Sequence, residues 1–106
     1  MPLTILSLIL KPYNKDMIHY TKQYLTKLEN LFEQGGFLLR YEKGNFKSGY
    51  CLLENNKIIV VNKFASMDNK INILVEIAGV LEFNMQLLDD KMTAFYNEIS
   101  QKEIKL

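Results

Sequence analysis

Residues 66–82 contain the feature that most limits how this chain can fold, because their helical pattern is apolar on almost every side. The apolar positions are Ile71, Ile73, Leu74, Val75, Ile77, Ala78, Val80 and Leu81. A helix without a polar face is usually buried at the centre of a fold. Ser66 or Asp68 can cap its first turn. The rest of the chain must therefore supply layers that cover this helix.

The polar interruptions of this helix fall on one narrow stripe, since Asn72, Glu76 and Gly79 are spaced by four and three residues. Glu76 has two interpretations. It lines a binding cleft, where a buried carboxylate needs a partner, or it occupies the one exposed edge of the helix. We expect the exposed edge. The candidate cleft, if present, would gain a second carboxylate from the next helix and would comprise Asn72, Glu76, Asp89 and Asp90.

Two further segments have the apolar spacing of amphipathic helices. Residues 16–34 place an apolar stripe on one face, and Asp16 can cap the first turn. The glycine pair at 35–36 is expected to end this helix, because glycine accepts the left-handed conformation that often follows one. A third helix is predicted over 86–103, with an acidic pair near its start, where the helix dipole favours acids.

Three short β-rich runs lie between the first two helices, at 37–42, 49–54 and 57–62. Residues 43–48 contain the glycine, asparagine and serine typical of turns, which predicts a hairpin between the first two strands. The third run has four consecutive β-branched residues at 58–61, which predicts burial on both faces.

The predicted fold is α+β, with a three-stranded, mainly antiparallel sheet packed by three helices in the order α-β-β-β-α-α. A length of 106 residues suits one domain over 1–106. With 48% apolar and 24% charged residues, the composition is that of a globular chain. The single cysteine, Cys51, excludes an intramolecular disulfide and is typical of a reducing compartment, so we expect a cytoplasmic protein.

The apolar segment 3–10 lacks the features of a leader or a membrane anchor. No basic residue precedes it and no small-residue cleavage site follows it. A membrane-spanning helix needs about 20 residues, so we expect no membrane association. The segment is expected either to pack on the body of the protein or to belong to an N-terminal extension, 1–16, of a chain that starts at Met17.

Basic and aromatic residues are interleaved along the first strand and the loop after it. Residues 35–65 carry five basic and two acidic side chains, whereas 66–106 carry four basic and seven acidic ones. A sheet that exposes aromatic rings and lysines can stack single-stranded bases. Successive strand residues point to opposite faces, however, so nucleic-acid binding is the less favoured function. The candidate binding surface comprises Arg40, Tyr41, Lys43, Lys47 and Tyr50.

Nucleophilic and phosphate-binding sites are incomplete in this sequence. His19 lies near the start of the first helix and Cys51 lies in a strand, whereas a catalytic pair needs contact and a third orienting group. The glycine-containing loops lead into strands and not into a helix N-terminus. We expect no catalytic residue, no metal site and no cofactor.

Two resemblances add to these expectations. The stretch 36–51, together with 58–63, resembles a family of short, uncharacterised bacterial proteins, and that resemblance implies no activity. The segment 62–81 resembles the active-site region of minimal gluzincin-type zinc metallopeptidases, which place a helix and a small sheet before a helix bearing His-Glu-x-x-His.

The gluzincin resemblance matches Val75 and Gly79 to the two zinc-binding histidines and Glu76 to the general base. Zinc needs three or four donor atoms, and valine and glycine side chains supply none. Glu76 would then have no metal-bound water to deprotonate. The resemblance therefore implies a degenerate zincin-like scaffold without its metal.

These observations favour a non-catalytic interaction or structural module. Two alternatives stay open, a hydrolase-like enzyme with a cleft near Glu76 and a single-stranded nucleic-acid binder that uses the sheet. We also expect a homodimer, because uncovered sheet edges invite pairing. Either segment 3–10 is exchanged between the two copies, or it pairs within its own chain and the dimer forms through the helices. The outer strands are predicted to be 37–42 and 57–62. A different protein partner remains an alternative.

Overall fold

The computed structural model describes residues 18–44 and 49–100. The described elements are α1 (Lys22–Gln34), β1 (Leu38–Glu42), β2 (Tyr50–Leu53), β3 (Ile58–Asn62), α2 (Met67–Val80), a 3-10 turn (Met85–Leu87) and α3 (Asp90–Ile99). The predicted α+β class, with three strands and three helices in this order, is confirmed. Segment 3–10, Asp16, Met17 and Lys47 lie outside the described residues. No helix within the described stretches is long and apolar enough to cross a membrane.

Side-chain caps determine where the helices begin. The Ser66 hydroxyl accepts the Asn69 amide at 3.2 Å, so the predicted start of α2 is confirmed. Residues 18–20 are not helical, and α1 begins only after Thr21, whose hydroxyl accepts the amide of Tyr24. The predicted extension of this helix back over residues 18–20 is therefore wrong.

The third helix also begins later than its predicted start at residue 86. The segment from Met85 to Leu87 forms a 3-10 turn, and the Asn84 side chain accepts the Gln86 amide at 3.0 Å. The Asp89 carboxylate then caps α3 by accepting the Met92 amide at 2.8 Å. The acidic pair at 89–90 therefore forms the start of this helix, as a cap and a first-turn residue.

The sheet has the order β1-β3-β2, which differs from the predicted hairpin. Strand β1 pairs with β3 in parallel, and β2 pairs with β3 antiparallel, so the sheet is mixed. The predicted hairpin between β1 and β2 is wrong because β3 lies between them. The prediction that β3 is an outer strand is wrong for the same reason. Among the described strands, β1 and β2 form the edges.

The register places alternate residues of all three strands on one helix-facing side. One row across the sheet is Leu39, Ile59 and Leu52, and the next is Tyr41, Val61 and Tyr50. Ile59 and Val61 are fully buried. The opposite face includes Leu38 and Leu53, which are 53% and 45% exposed. The described helices therefore cover the face that carries Ile59 and Val61, and Val60, on the opposite face of β3, is also only 4% exposed.

Helix α2 packs against both α1 and α3. Its side chains Ile71, Leu74 and Ala78 are fully buried, whereas Asn72 and Glu76 are exposed. The predicted polar stripe is thus the solvent-facing edge of the helix. Burial of the large apolar surface stabilises this arrangement, at roughly 25 cal/mol for each Å² removed from water.

The connection from α1 to β1 depends on the two glycines that follow the helix. Gly36 has φ +87°, a conformation that side chains rarely adopt, whereas Gly35 has an ordinary φ of −73°. A Cβ atom on Gly35 would lie 2.8 Å from the Phe83 ring. Gly36 thus permits the turn, and Gly35 permits close packing of Phe83.

Candidate functional site

Two tyrosines occupy matching positions on the two edge strands. Tyr41 of β1 and Tyr50 of β2 flank Val61 in one row on the helix-facing side of the sheet. Each hydroxyl meets a glutamate from a different helix, Glu29 of α1 or Glu76 of α2. The row therefore ties the sheet to two helices at once.

The Tyr41 contact lies beside α1. Its hydroxyl donates to Glu29 Oε2 at 2.5 Å, and the Lys70 ammonium lies 5.1 Å from the centre of its ring. Burial raises the pKa of Tyr41 strongly, and the hydrogen bond and negative charge of Glu29 raise it further. The phenol therefore remains a neutral hydrogen-bond donor in the folded protein.

The Tyr50 contact is more peripheral, because Glu76 lies on the exposed stripe of α2. Burial raises the pKa of Tyr50, and the charge and hydrogen bonding of Glu76 add to this effect. A cleft acid would require a pocket around Glu76. The structure instead places its carboxylate at the edge of the sheet, against a tyrosine.

The other members of the candidate cleft lie at opposite ends of α1. Asn72 accepts a hydrogen bond from the Tyr20 hydroxyl at 2.7 Å, just before α1 begins. Asp89 accepts one from Gln34, the last residue of α1, at 3.1 Å. A helix of 13 residues is about 20 Å long, so these two contacts lie far apart. Asp90 follows Asp89 in the first turn of α3, and the four predicted residues do not converge.

Asp89 has a structural role, in which hydrogen-bond donors from two helices stabilise its charged carboxylate. The Met92 amide and the Gln34 side chain both donate to its carboxylate, and these hydrogen bonds lower its pKa. Its own amide donates to the Gln34 side chain at 2.9 Å. Asp89 thus caps α3 and joins it to the end of α1.

The predicted nucleic-acid surface is divided between the two faces of the sheet. Tyr41 and Tyr50 are half-buried beneath the helices, while Arg40 lies on the opposite face in an ion pair with Glu42. Lys43 is exposed after the end of β1. The aromatic rings and the arginine therefore do not form one stacking platform.

The positions that the gluzincin resemblance matches to histidines lie on α2. The Val75 side chain is buried at 7% exposure, and Gly79 is half-buried one turn later. No group of three or more His, Cys, Asp or Glu side chains that could hold a metal occurs within residues 18–44 and 49–100. Comparisons with protein-family models, curated proteins and solved structures gave no match for this chain.

Strand β1 is an edge strand of the sheet that residues 18–44 and 49–100 form, so one side of its backbone has no partner among the described strands. The Leu38 amide donates to the Lys57 carbonyl at 2.9 Å, and the Glu42 carbonyl accepts the Lys63 amide at 3.0 Å. Backbone groups of successive residues alternate between the two sides of a strand. The amides and carbonyls of Leu39 and Tyr41 therefore point away from β3, where a further strand can pair with them.

A groove of about 320 Å³ runs beside this edge, between α1 and β1. We call it the β1 groove, and its lining residues are Glu29, Glu33, Phe37, Leu38, Leu39 and Tyr41. Its floor is apolar, and its acids come from α1. The residue spacing does indicate that the two glutamates share one helix face, four positions apart. The spacing does not indicate that this helix face borders a strand edge, because the position of β1 at the edge follows from its pairing with β3.

Proposed function

We propose that this chain is a non-catalytic protein-interaction module that binds an extended segment of a partner by adding it as a strand beside β1. The observation that supports this function is that β1 is an edge strand among the described residues and lies beside the β1 groove. Backbone hydrogen bonds would supply much of the affinity, and alternate side chains would enter the groove. The site needs no catalytic residue for this function.

The groove has the composition of a recognition site. Phe37, Leu39 and Tyr41 are half-buried and join the apolar core, so they offer a preformed apolar wall. Leu38 is 53% exposed on the other face of the same strand. A paired segment would therefore remove apolar surface from water on both faces of the strand that it extends.

The contacts of the candidate residues favour this module over the two alternatives. An enzyme with a cleft near Glu76 would need acids that converge, whereas Asn72 and Asp89 meet opposite ends of α1. A nucleic-acid platform would need exposed rings on the face that carries Arg40. We further propose a cytoplasmic location, because a single cysteine is typical of a reducing compartment. We also propose that the scaffold is related to that of the zincins and lacks their metal.

The proposed function can be tested with a displayed library of random twelve-residue peptides. Binding peptides would be synthesised with N-methyl groups on either the odd or the even amides. Strand addition predicts that one set loses binding and the other keeps it, because only alternate amides face β1. In two-dimensional NMR, the amides of Leu39 and Tyr41 should shift more than the amide of Leu52 at the β2 edge.

Equal effects of the two methylated sets would contradict strand addition. Shifts centred on β2 would instead place the binding edge on the other side of the sheet. A library that yields no peptide dependent on the β1 edge would overturn the proposed function.

The predicted homodimer is a separate proposal, and β2 is the edge that suits it. Its four residues, Tyr50–Leu53, carry no formal charge, and uncharged edges pair most readily. Leu53, which is 45% exposed, would lie at such an interface. Sedimentation should show a concentration-dependent dimer that L53K weakens. A wild-type chain that stays monomeric up to high micromolar concentration would contradict the dimer.

A further inference from the structure

We propose that the segment bound at the β1 groove carries lysine or arginine at two alternate positions with an apolar residue between them. This inference rests on the proposed function and adds the chemistry of the partner. It follows from the charges on the α1 wall of the groove, from their spacing, and from the face of the sheet that the intervening residue would join.

The spacing of the two glutamates matches that of alternate residues in a strand. Glu29 and Glu33 are four residues apart on α1, which separates them by about 6 Å along the helix. Alternate side chains of a strand are about 7 Å apart. The Glu29 contact with Tyr41, together with the short connection from Gln34 to Leu38, places Glu29 near Tyr41 and Glu33 nearer the start of β1. Two successive groove-facing residues of an added strand would therefore meet one glutamate each.

The two glutamates also have unused capacity for a cation. Neither forms an ion pair within the part of the chain that the structure describes, where Arg40 pairs instead with Glu42. Glu29 accepts the Tyr41 hydroxyl through one carboxylate oxygen, which leaves its other oxygen as a hydrogen-bond acceptor. Glu33 is exposed at the groove. A lysine or arginine could bind either carboxylate while its alkyl stem covers the apolar floor.

The residue between the two basic ones would lie on the opposite face of the extended sheet. There its neighbours on β1 include Leu38, which is exposed, and Arg40, whose charge is balanced by Glu42. An apolar residue would cover Leu38 without burying a further charge. The groove therefore favours an alternating pattern of basic and apolar residues, which also has a strong tendency to form strands.

A second copy of this chain fits the β1 groove poorly. Two β1 strands paired about a two-fold axis would place both α1 helices on the same side of the joined sheet. Glu29 and Glu33 of each copy would then face their counterparts across the joint, and like charges that face each other weaken association. The acidic wall thus selects against self-pairing at β1 and for a basic partner.

Three capped peptides of nine residues provide the test, with valine at odd positions and lysine, serine or glutamate at even positions. Binding to the full chain would be measured by fluorescence anisotropy at two salt concentrations. The lysine peptide should bind at least about tenfold more tightly than the glutamate peptide, with the serine peptide between them. The preference should shrink in high salt, because salt screens exposed charges.

Variants of the groove separate this inference from a general effect of net charge. E29Q and E33Q should each weaken binding of the lysine peptide about threefold and leave the serine peptide unchanged. E98Q is the matched control, because Glu98 is an exposed acid on α3 and lies outside the groove lining. Circular dichroism and urea unfolding would establish that each variant folds.

The outcomes distinguish the two proposals. Equal binding of all three peptides would overturn the basic preference. Strand addition would still stand if N-methylation of one alternate set of amides abolished that binding. An equal effect of E98Q and E33Q would also overturn it, because net charge alone would then explain the preference. Failure of all three peptides to bind at millimolar concentration would overturn both proposals.

Discussion

The two sheet edges carry the same pair of residue types, a strand tyrosine in contact with a helix glutamate, but the two glutamates differ in their exposure to water. Tyr41 and Tyr50 share a row with Val61, and each meets a glutamate. Glu29 is half-buried on the wall of the β1 groove, whereas Glu76 is exposed on α2. Hydrogen bonds to a charge contribute more where water is partly excluded. We therefore expect the two contacts to contribute different amounts to the free energy of unfolding, although both lie at an edge of the sheet.

The largest expected effect comes from the residue that the two contacts share. Val61 is fully buried between them, so V61A removes two methyl groups and leaves a cavity. We expect a loss of about 1–3 kcal/mol in the free energy of unfolding, measured with urea. L53A is the control, because its side chain is 45% exposed and its loss should be smaller. Equal losses of unfolding free energy for V61A and L53A would show that the helix-facing side of the sheet is packed no better than the opposite face.

The next effect separates the two tyrosines directly. Y41F removes the donor to Glu29 and leaves a half-buried carboxylate without it, so we expect a loss of about 1–2 kcal/mol in unfolding free energy. Y50F removes a donor to an exposed carboxylate, which water can replace, and should cost less than about 1 kcal/mol. The same urea titrations compare the two variants. A larger loss for Y50F would reverse the comparison.

Alkaline pH should reveal the same difference without changing the fold. Burial and Glu29 raise the pKa of Tyr41 above its ordinary value of 10.0, so the folded state favours the neutral phenol. This contribution to stability is complete below pH 10 and is lost as the pH rises above 10, because the unfolded chain then releases the proton. Between pH 9 and 11, wild type should therefore lose more stability than Y41F. Y50F should behave more like wild type.

A slope for Y41F that equals that of wild type would contradict the Tyr41 assignment. Lysines also titrate in this range, but they are common to all three proteins. The difference between wild type and each variant therefore isolates the contribution of one phenol.

Local signals in the sequence predicted the elements, whereas the pairing of strands required contacts between distant residues. The cap of α2 at Ser66 depends on residues within one turn, and the structure confirms it. The parallel pairing of β1 with β3 joins residues about twenty positions apart. The β-branched run at 58–61 did indicate burial on both faces. Burial on both faces depends on the layers above and below the sheet and not on the order of its strands, so this run carried no signal against the predicted hairpin.

The candidate site illustrates the same limit. The alternation within β1 predicted that Arg40 and Tyr41 lie on opposite faces of the strand, and the register has them so. The spacing of Glu29 and Glu33 indicated one helix face, but which element this face borders follows from the sheet order. The candidate cleft combines Glu76 with Asp89 and Asp90 because this acidic pair begins the next helix along the chain. Helix length then places Asp89 at the far end of α1.

The smallest expected effect is that of E76Q, and it tests whether the β2 contact is as peripheral as the structure indicates. Glutamine keeps an oxygen that can accept the Tyr50 hydroxyl and removes the charge. Because Glu76 is exposed on α2, we expect a change within about 0.5 kcal/mol in unfolding free energy. Loss of the charge should also bring the pKa of Tyr50 closer to its ordinary value, since Glu76 contributes to raising it. E29Q is the matched change at the β1 edge and should cost more, because Glu29 is half-buried. A loss of several kcal/mol for E76Q would mean that this acid is buried and paired, and the two edges would then be equivalent.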